Sequence, residues 1–321
     1  MNGFAESVDY NRVRPHGMEM TMRLSIGSAL VAITLAASGV AAAQTGAKSR
    51  AAPPATVESL QLSASVERSR QIVPLTPGFE LKEGDRVNTG ARSRLILKLA
   101  DGSAMALGER GSLFFDRAQQ REDGIFDAAL FVAEGAFRFT TGALDRFAGK
   151  REVSIAVNNV TAGIRGTDLW GKSTKESDIV CVIQGSVEVT PPGERPFTLD
   201  QPLSFYELEG NLSKAVATVP ADRFKEWAAE TEEEPGQGLA TRRGKWKVSV
   251  ASVKKSSEAL DAYNALRKAG YAAEIVPTKV GEERVYSVRL SGFESEKDAK
   301  SVVEALKGEA ELAKYDYKVG M

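Results

Sequence analysis

Hydrophobic and polar positions along this chain follow two different rhythms. Between about residues 56 and 220, short alternating runs recur with Gly- and Asp-containing turns between them, the pattern of an all-β sandwich, roll or barrel. Leu95–Leu99 alternates, Asp101-Gly102-Ser103 turns, and Ala104–Leu107 returns. Leu113–Asp116, Ala129–Ala133, Ala136–Thr140, Val153–Val157, Asp168–Gly171, Val180–Ile183 and Ser186–Val189 continue the series, with no helix of ordinary length among them.

The second rhythm is a repeat with an offset of 40 residues. Trp246, Val248, Val250, Val253, Ala259, Ala265 and Leu266 fall opposite Tyr286, Val288, Leu290, Phe293, Ala299, Ala305 and Leu306. Each half begins with a period-two strand. A helix follows, with an apolar stripe at i, i+3, i+4, i+7 spacing: Ala259, Leu260, Tyr263 and Leu266, then Ala299, Val302, Val303 and Leu306. Ser257 and Ser295 are placed to cap these helices, Asp298 completes a capping box, and Gly270 and Gly308 mark their ends. Further strands are expected at Tyr271–Thr278 and Tyr315–Val319, giving a four-stranded sheet with both helices on one face and the other face open.

Composition shifts divide the rest. Residues 44–55 read as a tether ending in Pro53-Pro54, and 221–243 as a second connection. The latter combines a short amphipathic helix from Asp222 to Glu230, carrying Phe224, Trp227 and Ala228 on one side, with a solvated acidic Pro/Gly spacer, Glu232–Gly238. The domains are then 56–220, of ordinary size, and 244–321. Residues 1–43 form a signal segment with an over-extended start at 1–21. Arg23, the uncharged run Leu24–Val40 and Ala41-Ala42-Ala43 before Gln44 read as a secretory signal cleaved after Ala43. An uncleaved inner-membrane anchor would place the same domains on the same outer side, with Arg14 and Arg23 left in the cytoplasm.

Composition removes whole classes of chemistry. The one histidine, His16, precedes the signal, so the exported chain has none, which excludes imidazole-based nucleophile pairs and zinc sites. No metal site and no cofactor is expected. The one cysteine, Cys181, lies in the apolar run Ile179–Ile183 and reads as a small buried residue. With 42 Lys and Arg against 43 Asp and Glu, the chain has no basic face for nucleic acid. From Gly244 onward, 14 basic and 12 acidic residues leave a net charge of about +2, so binding there must come from shape and hydrogen bonds.

Two stretches resemble known families. PGFELKEGDRVNTGARSRLILKLADGSAMALGERGSL, AEGAFRF, VNNVTAGIRGTDLW and VIQGSVEV, in that order, are similar to a FecR domain, a β-rich extracytoplasmic module. WKVSVASV, SSEALDAYNALRKAGY and YSVRLSGFESEKDAKSVVEALK resemble a SPOR domain, a βαββαβ ferredoxin-like α+β module. That likeness implies binding to peptidoglycan glycan strands stripped of stem peptides, and a place in the periplasm, the cell envelope and cell division.

In the FecR-like part, Gly84, Gly102, Gly163, Gly166 and Gly185 fit turns, and Asp85 and Asp101 can accept from their own downstream amides. Gly84, Asp85, Asp101, Gly102, Arg165, Gly166 and Thr167 make up the structural motif of the FecR-like domain. Arg165, between two glycines, either ties turn carbonyls or Asp168 together or contacts an anion or sugar at the surface. On the open face of the C-terminal sheet, alternation places Lys247, Ser249, Ser287, Arg289 and Ser291, whose hydroxyls and guanidinium suit sugar hydroxyl and acetamido groups. SPOR domains usually carry glutamine at Ser249, and a serine that matches Ser252. Where they often carry arginine this chain has Ser287, and Arg289 lies two residues along the same face.

The leading expectation is a non-enzymatic periplasmic protein that binds glycan strands, with the FecR-like domain as a second binding surface for a partner in the envelope. Alternatives are an envelope partner-binding protein without glycan affinity, and a FecR-type signalling or sigma-regulator protein. Against the last, residues 1–21, ahead of the signal, are too few to bury a core. A carboxylate-only wall hydrolase using Glu134 or Asp168 needs no histidine, but no acid pair stands out.

Overall fold

A computed structural model describes residues 53–142 and 151–321. The signal segment and most of the first tether lie outside the described residues, as do the side chains of Arg165 and Val280. No described helix is long and apolar enough to cross a membrane.

The N-terminal β domain is organised around one long strand, Phe126–Thr140. Its first half runs parallel to Arg151–Val157 and antiparallel to Ser112–Gln120. Its second half pairs antiparallel with Ala104–Leu107 and with Val160–Ser173. Residues that alternate inward along these strands meet in one core containing Leu95, Leu97, Met105, Phe115, Phe137 and Phe139. The strands are longer than the sequence pattern suggests, because glycines expected in turns sit instead inside bent strands. Gly166 and Gly185 have φ of 65° and 91°, and the pairing of Val160–Ser173 with Ser177–Thr190 shifts register between Arg165 and Asp168. A side chain at 185 would come within 2.6 Å of the Gly166 carbonyl oxygen, so this bulge admits glycine alone without displacement. Gly163 is ordinary strand and carries no such demand.

Helix α1, Ala221–Ala229, closes this domain. Trp227 stacks on the buried Trp170 with centroids 4.8 Å apart, and Phe205 meets Trp227 edge-on at 5.5 Å. Cys181 lies in the same small cluster, and burial pushes its thiol pKa up to about 12, which keeps it protonated and inert.

In the C-terminal module the strands pair in the order Lys318–Gly320, Trp246–Val253, Glu283–Phe293, Glu274–Val280, all antiparallel. Helices α2, Ser256–Lys268, and α3, Glu296–Lys307, contribute Ala259, Ala262, Leu266, Ala299, Val302 and Leu306 to a core under Val248, Val250, Val288 and Leu290. α2 ends with Gly270 at φ 83°, Gly270 N–H donating to Arg267 and Tyr271 N–H to Leu266, a closure that buries Tyr271 instead of starting a strand there. Ser257 does not cap α2, whose N-cap is Lys255 with no side-chain bond. Ser295 does cap α3, accepting from Asp298 N–H at 3.2 Å.

The segment expected as a solvated spacer is bound to both domains. Asp298 Oδ1 accepts from the backbone N–H of Gly236 (2.7 Å), Gly238 (3.1 Å) and Leu239 (2.9 Å). Gln61 Oε1 accepts from Glu234 N–H at 2.9 Å. Leu239–Thr241 then pairs antiparallel with Ala55–Gln61 on one side and, through Ala240 opposite Phe293, with the C-terminal sheet on the other. Leu62, from the β domain, sits in the C-terminal core. Unmet amides near one buried carboxylate explain the order: each would cost free energy if left unpaired.

Candidate functional site: the helix-free face of the C-terminal sheet

Ser249, Arg289 and Glu274 lie directly opposite one another across three strands, with Lys318 beyond Ser249 on the edge. One row further along, Lys247 opposes Ser291. A register shift between Ser249 and Ala251 brings Ser252 opposite Ser287 and returns it to the same face, so a spacing of three residues, not two, separates the serines Ser249 and Ser252. Ser249 and Ser287 hydroxyl oxygens lie 3.4 Å apart, and Ser252 and Ser291 are exposed. All five expected residues, Lys247, Ser249, Ser252, Ser287 and Arg289, therefore come together on the face opposite the helices.

Sequence reasoning missed Glu274. Its Oε1 accepts from Arg289 Nε at 2.6 Å and from Ser291 Oγ at 3.2 Å. The acid holds the guanidinium by one edge and leaves its terminal nitrogens for other acceptors. The only sequence signal was its position, opposite Arg289 once the strand is started at Glu274 instead of Tyr271. The face offers hydroxyls, one oriented guanidinium, the ammonium groups of Lys247 and Lys318 and one carboxylate, all open or partly open to solvent. That is a hydrogen-bonding surface with a modest positive charge.

The motif residues of the N-terminal domain do a different job. Asp85 is fully buried and accepts from Arg68 Nε (2.7 Å) and Nη2 (2.6 Å), and from the upstream amide of Lys82 (2.7 Å), where a downstream amide was expected. The hydrogen bond to Asp85 raises the Arg68 pKa and keeps the guanidinium charged. Asp101 accepts from its downstream neighbour Ser103 through N–H (3.0 Å) and Oγ (2.7 Å). Gly84 and Gly102 turn with φ of 83° and 85°. Thr167 donates its hydroxyl to the Ser186 carbonyl and its N–H to Thr141 Oγ1. Asp168, considered as a partner of Arg165, is held by Arg138 Nε (3.0 Å) and Nη2 (2.7 Å). Glu134 is exposed. Each of these acids except Glu134 is committed to a structural partner, and among the described residues no cluster of His, Cys, Asp or Glu fits a metal ion.

Comparison with protein families matches residues 85–188 to the FecR protein family and residues 243–315 to the SPOR domain. The chain carries a FecR domain followed by a SPOR domain. A SPOR domain implies peptidoglycan binding, both domains belong to the periplasmic side of the envelope, and both are binding or regulatory families without catalytic function. Two crystal structures of a provisionally assigned anti-sigma factor from Parabacteroides distasonis ATCC 8503, at 1.65 and 2.50 Å resolution, are similar to 70% of this chain over 90% of their own. Identities are 15% and 18%, with TM-scores of 0.36 and 0.37. No curated protein matches the chain.

Proposed function

We propose that this protein is exported to the periplasm and binds peptidoglycan glycan strands, without catalysis, through the helix-free face of its SPOR sheet. The observation that carries this reading is that Lys247, Ser249, Ser252, Ser287 and Arg289 share one solvent-facing surface that neither helix covers. Ser249 and Ser287 supply hydroxyls to sugar hydroxyl and acetamido groups. Arg289, steadied by Glu274, directs its free nitrogens at the same groups. The FecR domain, with its charges paired inside, acts as a rigid second surface for a partner in the envelope.

Purified protein incubated with sacculi, before and after amidase treatment, tests this. Recovery should rise on amidase-treated sacculi and fall severalfold in the Ser249→Ala/Arg289→Ala variant. Recovery no greater than that of an unrelated protein defeats the reading. The FecR match supports a second reading, envelope signalling. A changed transcriptional response on removing residues 1–21 would favour it.

A further inference from the structure

The SPOR sheet does not end at its own domain boundary. Ala240 and Phe293 oppose each other and both enter the helix-side core, so Thr241 and Glu294, next along each strand, turn to the helix-free side. Thr241 in turn opposes Ser59, and Ser59 opposes Ile96. The glycan face thus continues through Leu239–Thr241 onto the outer face of the FecR sheet.

At that junction lies a cleft of about 890 Å³ whose walls come from both domains and the segment between them. Three cations line it: Lys98 from a FecR strand, and Arg242 and Arg243. Among the described residues none of the three has an ion-pair partner, although other exposed cations such as Lys225, Lys254 and Lys268 have one. Arg242 is placed by a close approach from the FecR side: Gly78, at φ 92°, leaves the space, and a side chain there would come within 2.8 Å of Arg242 Nε. The acids in the cleft are Glu58, Glu233 and Glu294. Glu294 accepts from the Thr241 hydroxyl, and Glu233 Oε1 is buried with no hydrogen-bond partner. The cleft therefore offers unpaired cationic donors to an anionic group, and the exposed carboxylates of Glu58 and Glu294 as acceptors for hydroxyl or amide N–H groups of the same ligand.

A glycan strand released from its stem peptides has this combination. Hydrolysis of the amide that joins each lactyl ether to its peptide leaves a carboxylate, repeated on alternate sugars between hydroxyl and acetamido groups. We propose that the FecR–SPOR cleft is an extension of the glycan site, in which Arg242, Arg243 and Lys98 take the lactyl carboxylates of a stripped strand. This inference rests on the glycan reading above. It adds that the FecR domain shares the same ligand and that the lactyl carboxylate itself is read, by cations outside the SPOR sheet.

The test uses the full chain and two ligands: amidase-treated glycan strands, and the same strands with lactyl carboxylates converted to methylamides. The wild-type protein should bind the carboxylate form about tenfold more tightly. Arg242→Gln/Arg243→Gln should bind both forms at the weaker level, and Lys98→Gln, on a FecR strand, should lose part of the difference. Ser249→Ala/Arg289→Ala should weaken both forms alike, which reports on the SPOR face separately. Wild-type binding that ignores methylamidation, or variants in the cleft that keep full discrimination, would overturn the inference and leave the SPOR reading standing. No wild-type binding to either ligand overturns both. All three cleft side chains are solvent-exposed, so the variants should melt with the wild type, and a matching thermal transition confirms it.

Discussion

In the FecR domain two acidic side chains go inside. Asp85 is buried against Arg68, and Asp178, also buried, accepts from Ser173, Asn158 and Asn159. In the SPOR domain the acid that matters at the candidate site, Glu274, stays at the surface beside Arg289, and the one buried acid, Asp298, serves backbone of the connecting segment through one oxygen and Ser295 of its own helix cap through the other. The difference separates scaffold from site. A domain that spends its charges on internal pairs presents a fixed surface, whereas one that keeps hydroxyls and a guanidinium in solvent retains donors for a ligand. The segment between them belongs to neither scheme and joins the two.

The comparison is most exposed at Asp85. Asp85→Ala strands the Arg68 guanidinium and the Lys82 amide, and should cost about 3 kcal/mol in urea unfolding, because breaking one partner of a buried pair is worse than losing both. A change below roughly 0.5 kcal/mol would mean the FecR pairs are ornamental, since that is the range of ordinary surface substitutions.

Asp298→Ala should cost less, about 2 kcal/mol, by leaving three amides and the Ser295 hydroxyl without their acceptor. Its sharper signature is local. Cleavage after Glu232–Glu234 by a glutamate-specific protease should accelerate roughly tenfold as the segment opens independently of either core. Unchanged cleavage would show that the segment is held by its strand pairing alone.

The smallest effect concerns Glu233. Burial raises its pKa first of all, with Glu58 adding to the rise and Ser59 opposing it. A carboxyl with a raised folded pKa contributes its full stability below the unfolded value and loses it as pH climbs through the folded value. Glu233→Gln, neutral throughout, should therefore raise the Tm by about 2 °C at pH 8 and leave it unchanged at pH 4. Equal shifts at both pH values would remove ionisation as the cause.

What could be read from sequence follows from how local each signal is. The repeat in the SPOR domain was legible because Val248, Val250, Val288 and Leu290 report their burial through period two, and the helix stripes through period 3.6. The placement of Lys247, Ser249, Ser287 and Arg289 on one face followed from the same alternation, while Ser252 was picked out by family likeness and reaches that face through a bulge. Three things were not legible. Asp298 looks like a capping residue within its own helix, and the amides it serves lie some sixty positions upstream. Leu239–Thr241 is too short to show alternation, though it joins the two sheets. The bulge after Ser249 and the Arg289–Glu274 pair are matters of register, which nothing in a single strand specifies. In the FecR domain, glycines were visible as special positions, yet only pairing could show that Gly166 and Gly185 bend strands where loops were expected.

Leu62 has a practical consequence for anyone who dissects this molecule. Its side chain, contributed by a β-strand turn of the first domain, fills a slot among Gly238, Val302 and Ala240 in the second. A truncation that starts near residue 244 removes that plug together with the strand at 239–241, uncovering oily surface and an unsaturated Phe293 edge. Such a fragment should be stickier and less soluble than the intact protein, and affinities measured on it would describe a damaged surface.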